Sequence, residues 1–475
     1  MVFRFPCRLL VLPLLLLLTL SGSAAFADSP ADLTAIREDM RALRENYERR
    51  IADLEAKLRL LEAQQVEARQ TETSPVSETV PVSKTAPAVV NAGGQSASNA
   101  NNFNPSIGII LNGRYGNYSN DNSELRGFAI GEEGERGREG FAVDESEINA
   151  SANVDDKFSG SVTAAVVRED GADNIELEEA FVQTLPGVGF PPGLAAKFGR
   201  ALWTFGYLNE HHTHADDFAD RPLPYRAFLN SSFNDDGLQL AYVLPTDFYG
   251  ELGGGIFRGD DFPFGSASGG AINAWSGYAR IGGDIGEDQN WRFGGYFLGG
   301  DVDGRSTSED VVNFVGDTQL YATDLRYTWA PTGNSRDQEL ILQAEYIWRI
   351  EDGAYQDKSQ HAFQHMEAMT EAVNFDEGSS GFYAQAVYKF LPQWRLGGRY
   401  SQLFAADVPA GLLGSSLDSE GYDPLAYSFM IDWTNSEFSR FRLQFNREEL
   451  SSGEDDNQFI LQYIMSLGAH GAHAY

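Results

Sequence analysis

The residues best suited to chemistry lie in one short stretch, Glu210–Asp220. It contains three of the chain's seven histidines together with four carboxylates. The candidates are Glu210, His211, His212, His214, Asp216, Asp217 and Asp220. Imidazole suits Zn, Cu and Ni, and carboxylate extends the range to Mn or Mg. In an extended segment His212 and His214 face one side and His211 the other, so a transient divalent-metal site of two or three ligands forms easily.

A second interpretation of this stretch stays open beside the metal site. The loop can be a hydrated acidic constriction, whose carboxylates set a cation preference and whose histidines are incidental. His361 and His365 form a second candidate metal pair, because they share a face if they lie on a short helix. The alternative for that pair is a helix that packs on the loop rim. No cofactor is required in either interpretation, and zinc or another divalent cation is a transient ligand at most.

The elements that must position these residues are strands with a period of two. We count sixteen candidate strands between residues 106 and 467. In one of them Phe441, Leu443 and Phe445 share a face, while Arg442 and Gln444 lie on the other. A soluble sandwich shows the same period, so periodicity alone does not choose between the two architectures.

The lengths of the connections separate a membrane barrel from a sandwich. Tight turns such as Asp155-Asp156 and Pro245-Thr246-Asp247 follow the even-numbered strands. Long acidic connections follow odd-numbered strands, at 117–140, 201–236, 259–271, 301–317, 352–380 and 404–423. Short turns at one rim and long loops at the other are typical of outer-membrane barrels. The fold prediction is therefore an all-β transmembrane barrel of about 16 antiparallel strands.

Three segments precede the barrel. Residues 1–27 have the charged start, short apolar core and Ala25-Phe26-Ala27 end of a secretory signal peptide. Residues 28–70 show the apolar 3–4 spacing of a coiled-coil helix, which predicts self-association as a homotrimer; a helix lying on its own domain is the alternative. Residues 71–104 form a flexible linker rich in Ser, Thr, Pro and Ala, and 105–475 form the barrel.

Composition excludes several classes of function. The net charge is -34 with a pI of about 4.4, which argues against nucleic acid as a partner. The one cysteine, Cys7, leaves with the signal peptide, so the mature chain has neither disulfides nor thiolate ligands. We find no histidine beside a plausible strand nucleophile, so the protein is not expected to be an enzyme.

The wall of the predicted lumen is basic. In the predicted register these arginines face inward: Arg114, Arg200, Arg292, Arg326, Arg349, Arg395, Arg399 and Arg442. An arginine turned to lipid at mid-membrane would cost about 2–4 kcal/mol, which favours the inward assignment. An acidic loop opposite a basic wall predicts a transverse field across the pore.

These features together resemble the general porins of Gram-negative bacteria. The resemblance rests on the signal peptide, the sixteen strands, the alternating loop lengths and the terminal aromatic residue Tyr475. It implies that the loop after the fifth strand, 201–236, bends into the lumen and narrows it. The run LNEHHTHADDFADRPLPYRAFLNSSFNDDGLQL, with the coiled coil and the GAHGAH tail, resembles a family of putative zinc-regulated outer-membrane proteins. Members of that family are sometimes labelled TonB-dependent receptors, although this sequence shows no plug domain.

The sequence therefore predicts a passive, cation-preferring diffusion channel in the outer membrane of a Gram-negative bacterium. Its partners are outer-membrane lipid, small solutes or metal ions, and further copies of the chain. Facilitated uptake of divalent metal, zinc in particular, is an additional expectation from the His/Asp loop. The alternatives are a receptor or adhesin barrel with a blocked lumen, or a TonB-dependent metal receptor.

Overall fold

The computed structural model describes residues 105–169, 172–186, 188–265, 272–307, 312–357 and 372–468. The predicted signal peptide, coiled-coil helix and linker lie outside these ranges, as do His361 and His365. Within the ranges, none of the helices is both long and apolar enough to cross a membrane.

The described residues form one closed antiparallel sheet. Its strands are β1 Ser106–Tyr118, β2 Gly140–Val143, β3 Ser146–Asn153, β4 Phe158–Glu169, β5 Ala172–Thr184, β6 Leu194–Leu202, β7 Asn234–Val243, β8 Tyr249–Phe257, β9 Ala274–Ile285, β10 Gln289–Ser306, β11 Val312–Trp329, β12 Glu339–Asp357, β13 Val373–Leu391, β14 Trp394–Phe404, β15 Leu425–Ser436, β16 Ser439–Ser451 and β17 Glu454–Gly468. Both β2 and β3 pair with β1, so they are two halves of one predicted strand. The barrel closes through β1 and β17, which confirms the sixteen-strand prediction.

The polarity of the barrel is inverted relative to a soluble protein. Along β16, Phe441 and Phe445 are 41% and 43% exposed, whereas Arg442 and Gln444 are each 1% exposed. The same alternation holds in β12, where Leu342 is exposed and Gln343 is buried. Apolar side chains outward and polar side chains inward are the pattern that a surrounding lipid phase requires. The barrel wall therefore suits a bilayer.

Outward aromatic side chains collect near the short-turn rim. Trp394 and Trp433 lie side by side with ring centroids 6.3 Å apart, and Trp433 stacks on Phe441 at 5.9 Å. Phe441 in turn contacts Tyr463 at 4.3 Å. Amphipathic rings favour the boundary between lipid and water, so this belt marks one edge of the membrane.

Two of the predicted long loops are shorter than expected. β10 and β11 extend into 301–317, and β12 and β13 extend into 352–380, where Asp317, Asp352 and Asp376 pair across three strands. In these extensions the outer face carries polar residues, while Val302, Phe314 and Tyr355 turn inward and are buried in an apolar cluster, so the apolar-outward alternation that identified the other strands is absent. These residues are therefore strand rather than the predicted loop.

Apolar residues of the long loops meet at the long-loop rim. Phe128, from the connection after β1, packs edge-on against Phe228 at 5.8 Å. Phe264, from the connection after β8, packs against Phe233 at 6.0 Å, and Leu412 joins the same buried cluster. Burying this surface draws the loops together over the barrel mouth instead of leaving them in solvent.

Candidate functional site

The connection between β6 and β7, residues 203–233, folds into the barrel. Trp203 and Phe205 at its start and Phe233 at its end are each 1% exposed. Farther along, Phe218 packs with the inward residues Ile341, Val387 and Met430 of the wall. Ile341 is only the third residue of β12 from the short-turn rim, so the segment, here called the inserted loop, reaches deep into the lumen.

Asn209 closes the base of the inserted loop. Its Nδ2 donates hydrogen bonds to the carbonyl oxygens of Trp203 at 2.7 Å and Phe233 at 2.9 Å. Its Oδ1 accepts from the N–H of Phe233 at 2.6 Å, and the residue is fully buried. One amide side chain thus holds the two ends of the loop together.

The returning arm of the loop is a short, fully buried helix, α1, Leu223–Leu229. Pro222 precedes it with extended backbone, and Pro224 lies in its first turn, where its missing N–H costs little. The helix ends at Asn230, whose left-handed φ of 50° is tolerated by an Asn side chain. It packs on the inner face of β12, β13 and β14.

The acidic residues of the loop meet inward arginines of the wall. Asp217 accepts from Arg395 at 2.8 Å, and Asp220 accepts from Arg399 at 2.7 Å. Glu210 pairs with Arg280, a wall arginine that sequence reasoning missed. In β9 Arg280 lies between the outward-facing residues Ala279 and Ile281. The same period-two alternation identified the other inward arginines, so it could have identified Arg280 as well.

Asp216 and Asp220 respond differently to burial. Burial raises the pKa of Asp216 to about 7, although Arg221, 2.6 Å away, opposes the rise. Burial also acts to raise the pKa of Asp220, but Arg399 and a hydrogen bond from Gln444 outweigh it and leave that pKa below its usual value. Asp216 is therefore the loop carboxyl poised to gain a proton near neutrality.

Glu345, from β12, anchors the start of the loop and was also missed from the sequence. Its carboxylate accepts from the N–H groups of Tyr207 at 3.0 Å and Leu208 at 3.3 Å. It also accepts from the hydroxyls of Tyr225 at 2.9 Å and Tyr383 at 2.5 Å. One buried wall carboxylate thus satisfies four donors, two of them backbone groups of a 3₁₀ turn.

The three loop histidines separate into two environments. His211 lies beside Tyr207, its Nδ1 3.0 Å from the Tyr207 carbonyl oxygen. Burial, with nearby Arg221, Arg326 and Arg292, lowers the pKa of His211 to about 4, so this ring stays neutral. It takes no part in the environment of the other two.

His212 and His214 face strand carboxylates. His212 Nε2 lies 3.0 Å from Glu179, and His214 Nδ1 lies 2.7 Å from Glu147. Burial alone would lower the pKa of His212, but the carboxylates of Glu147, Glu178 and Glu179 raise it well above its usual value. The structure therefore does not bring the predicted ligands of Glu210–Asp220 together in one set. His212 and His214 instead contact carboxylates of β5 and β3.

Among the described residues one group has metal-ligand spacing. One ligand atom each from Glu147, Glu178 and His212 lie within 4.8 Å of one another. Neither glutamate stands out in the sequence, because each lies more than 30 residues before His212 and only strand pairing brings it near. The other acidic candidates are paired with guanidinium groups instead.

The inward arginines agree with the predicted register except for Arg200. Arg114 pairs with Asp144 at 3.0 Å, Arg292 with Asp324 at 2.7 Å, and Arg326 lies 4.4 Å from the ring centroid of Tyr207. Arg349, Arg395, Arg399 and Arg442 are likewise turned to the interior.

Arg200 faces outward, contrary to the sequence prediction. It shares the outer row with Phe198, which is 66% exposed, and bonds Asp236 at 2.8 Å across the strand pair. At the end of β6 this pair lies where the long loops begin, so the charge avoids the cost of lipid burial. The inward basic residue of this strand is Lys197, whose Nζ lies 4.8 Å from the ring centroid of Phe181.

Comparisons with known proteins give one relative and several similar folds. No family model matches the chain. An uncharacterized protein of Aquifex aeolicus (strain VF5) is 27% identical over 400 residues, covering 78% of this chain and 80% of that protein.

The solved structures that resemble the chain are outer-membrane barrels. An anion-selective porin from Comamonas acidovorans is 9% identical with a TM-score of 0.47, covering 77% of this chain and 99% of the porin. The outer-membrane channel DcaP of Acinetobacter baumannii is 12% identical with a TM-score of 0.46, covering 77% and 96%. The barrel assignment rests on the strand register described above.

Proposed function

We propose that the protein is a porin-type channel of the Gram-negative outer membrane, through which small hydrophilic solutes diffuse passively. The observation that carries the proposal is the closed barrel with an apolar exterior, a charged interior and a loop inserted between them. Sixteen strands enclose a space wide enough for an aqueous path, so the inserted loop sets what passes. The homotrimer belongs to the same proposal, and its support is the apolar spacing that predicts a coiled coil in residues 28–70.

The distribution of charge supports a cation preference. Arg395, Arg399 and Arg442 lie on the side of the lumen formed by β14–β16, where carboxylates neutralise them: Asp217 and Asp220 of the loop pair with Arg395 and Arg399, and Asp432 of the wall pairs with Arg442. Farther around the wall, on β3 and β5, Glu147 and Glu178 meet imidazole rather than guanidinium. Three carboxylates, those of Glu147, Glu178 and Glu179, surround the single imidazole of His212, so negative charge is in excess even when that ring is protonated, and it attracts cations. A divalent metal such as zinc is the cation best suited to a lumen with both imidazole and carboxylate groups.

A second candidate function is a receptor barrel with a blocked lumen. The inserted loop contacts inward side chains on β5, β9, β12 and β16, so it crosses the lumen instead of lining one wall. The apolar cluster at the long-loop rim narrows the mouth further. A TonB-dependent metal receptor would use such an inner segment as a plug.

Single-channel recording of the full chain in planar bilayers separates the two functions. A channel gives stepwise conductance, and its reversal potential in a KCl gradient shows a preference for K⁺. Folded protein that inserts without conducting supports the receptor, and a preference for chloride contradicts the cation assignment.

Asp217→Asn with Asp220→Asn tests the role of the loop in that recording. Removing two lumen carboxylates lowers the K⁺ preference if the loop sets selectivity. Asp247→Asn is the matched control, because Asp247 is exposed in the turn between β7 and β8 and leaves the lumen unchanged. Equal selectivity in all variants would exclude the loop as the selective element.

A further inference from the structure

We infer that His212, Glu147 and Glu178 form a three-ligand Zn²⁺ site inside the barrel, between the inserted loop and strands β3 and β5. The inference rests on the proposed channel function, in which this site binds a divalent cation transiently during its passage through the lumen. It differs from the sequence prediction in its ligands, since two of the three come from the wall.

The distances between ligand atoms fit a metal better than hydrogen bonds. His212 Nδ1 lies 3.5 Å from Glu147 Oε1 and 3.5 Å from Glu178 Oε2. Both distances are long for N–H···O bonds, which centre on about 2.9 Å. Tetrahedral zinc with bonds of about 2.1 Å separates its ligand atoms by about 3.4 Å. A zinc ion therefore fits between these atoms without moving them far.

His212 is oriented as a metal ligand by a second carboxylate. Its Nε2 lies 3.0 Å from Glu179 Oε2, which holds a proton on Nε2, so a metal ion would displace the proton from Nδ1, the nitrogen that faces Glu147 and Glu178. A carboxylate behind the far nitrogen of a ligating histidine fixes the tautomer and increases its basicity. Glu179 is thus a positioning residue for His212.

A β-bulge turns two consecutive glutamates toward His212. The pairing of β4 with β5 shifts between Thr163 and Ala164, which pair with Glu179 and Leu177 and leave Glu178 as an extra residue. In regular strand Glu178 and Glu179 would face opposite sides of the wall. Bulges commonly re-aim side chains next to functional sites.

The wall oxygens are held in place and poorly solvated. Glu147 is 3% exposed, and His214 Nδ1 holds its Oε1 at 2.7 Å. Glu178 Oε2 is shielded from solvent and makes no hydrogen bond of ordinary geometry; His212 lies 3.5 Å from it, and the carboxyl of Glu145 lies beside the Glu178 side chain. Shielded carboxylate oxygens grouped in this way favour a bound cation.

The remaining loop carboxylates do not compete for the ion. Asp217 and Asp220 are bonded to Arg395 and Arg399, so an ion placed there would meet guanidinium charge. Three protein ligands leave the fourth position of tetrahedral zinc for water, as in sites that exchange their ligand. An open position suits a site that must release its ion for passage.

Binding of Co²⁺ and Zn²⁺ to the refolded, untagged full chain tests the site. Co²⁺ gives visible absorption that reports tetrahedral coordination, and Zn²⁺ displaces it. We expect this absorption in the wild type, and at least tenfold weaker Zn²⁺ binding after Glu178→Gln or His212→Gln. His211→Gln is the matched control, because its ring lies apart from the three ligands.

Two outcomes overturn the inference: no tetrahedral Co²⁺ absorption in the wild type, or equal Zn²⁺ affinity in Glu178→Gln, His212→Gln and the control. Metal-free conductance of the same preparations reports barrel integrity and channel function separately. Conductance without Zn²⁺ binding refutes the site alone, whereas Zn²⁺ binding by a non-conducting barrel refutes the channel.

Discussion

Asn209 and Phe233 are joined by two hydrogen bonds, since the Asn209 amide donates to the Phe233 carbonyl oxygen at 2.9 Å and accepts from the Phe233 N–H at 2.6 Å. With the third bond to Trp203, this contact closes the inserted loop on itself. The loop therefore enters the lumen as a closed unit whose base is held by the buried Asn209 side chain and by a backbone hydrogen bond from the Trp203 N–H to the Phe233 carbonyl oxygen.

Replacing Asn209 should loosen the inserted loop. Asn209→Leu keeps the volume but leaves buried backbone groups of Trp203 and Phe233 unpaired, at a cost of about 2–4 kcal/mol in unfolding free energy. Urea unfolding in detergent micelles measures the loss, and recordings should show a noisier channel. Asn290→Leu, at an exposed position, serves as the control. Equal stability of both variants would contradict the assigned role.

The Asp220–Arg399 pair should contribute to loop docking. A double-mutant cycle with Asp220→Asn and Arg399→Gln is expected to give a coupling of about 1–2 kcal/mol, because both groups are shielded from solvent. The exposed Arg447–Glu449 pair provides the comparison and should show no measurable coupling. Similar coupling in the two pairs would argue against a docking role.

Docking of the loop should weaken as pH rises through neutrality. Burial raises the pKa of Asp216 to about 7 from its ordinary 3.8, so the docked loop binds a proton more tightly than an undocked one. The favourable contribution is complete below about pH 4 and is lost as pH rises through 7. Limited proteolysis of the loop should therefore be faster at pH 8 than at pH 5.

Asp216→Asn isolates that titration. The amide cannot ionise, so the difference in cleavage rate between pH 5 and pH 8 should shrink strongly. Asp247→Asn, exposed at the opposite rim, should retain the wild-type difference. If Asp216→Asn keeps the full difference in cleavage rate between pH 5 and pH 8, the pH dependence arises from another group.

Lys197 and Arg200 should differ in their effect on selectivity, although they lie three residues apart. Lys197→Gln removes a positive charge inside the barrel, beside Glu179, and should increase K⁺ preference. Arg200→Gln removes an outward charge and should leave the reversal potential unchanged. The reverse result would mean that the register of β6 is shifted by one residue.

The parts of the barrel that the sequence predicts are those whose outer face contacts lipid. Lipid outside and a polar interior impose an alternation of apolar and polar residues, as in Phe441, Arg442 and Leu443. The number of strands and the direction in which their side chains face can therefore be read from local sequence. The ends of β10–β13 escaped prediction because they extend beyond the lipid, where the outer face is polar and apolar residues such as Phe314 and Tyr355 turn inward. Arg200 was misplaced for a related reason, since outside the lipid an outward arginine is stabilised by Asp236.

The place of the inserted loop after the fifth predicted strand was determined by the sequence itself, through the count of strands and the lengths of their connections, and its insertion into the lumen was what the porin resemblance implied. Its chemistry was decided by the tertiary structure. His212 lies 33 residues from Glu179, and His214 lies 67 from Glu147. Local patterns cannot report such contacts, because closing the barrel and the bulge at Glu178 bring those carboxylates to the loop.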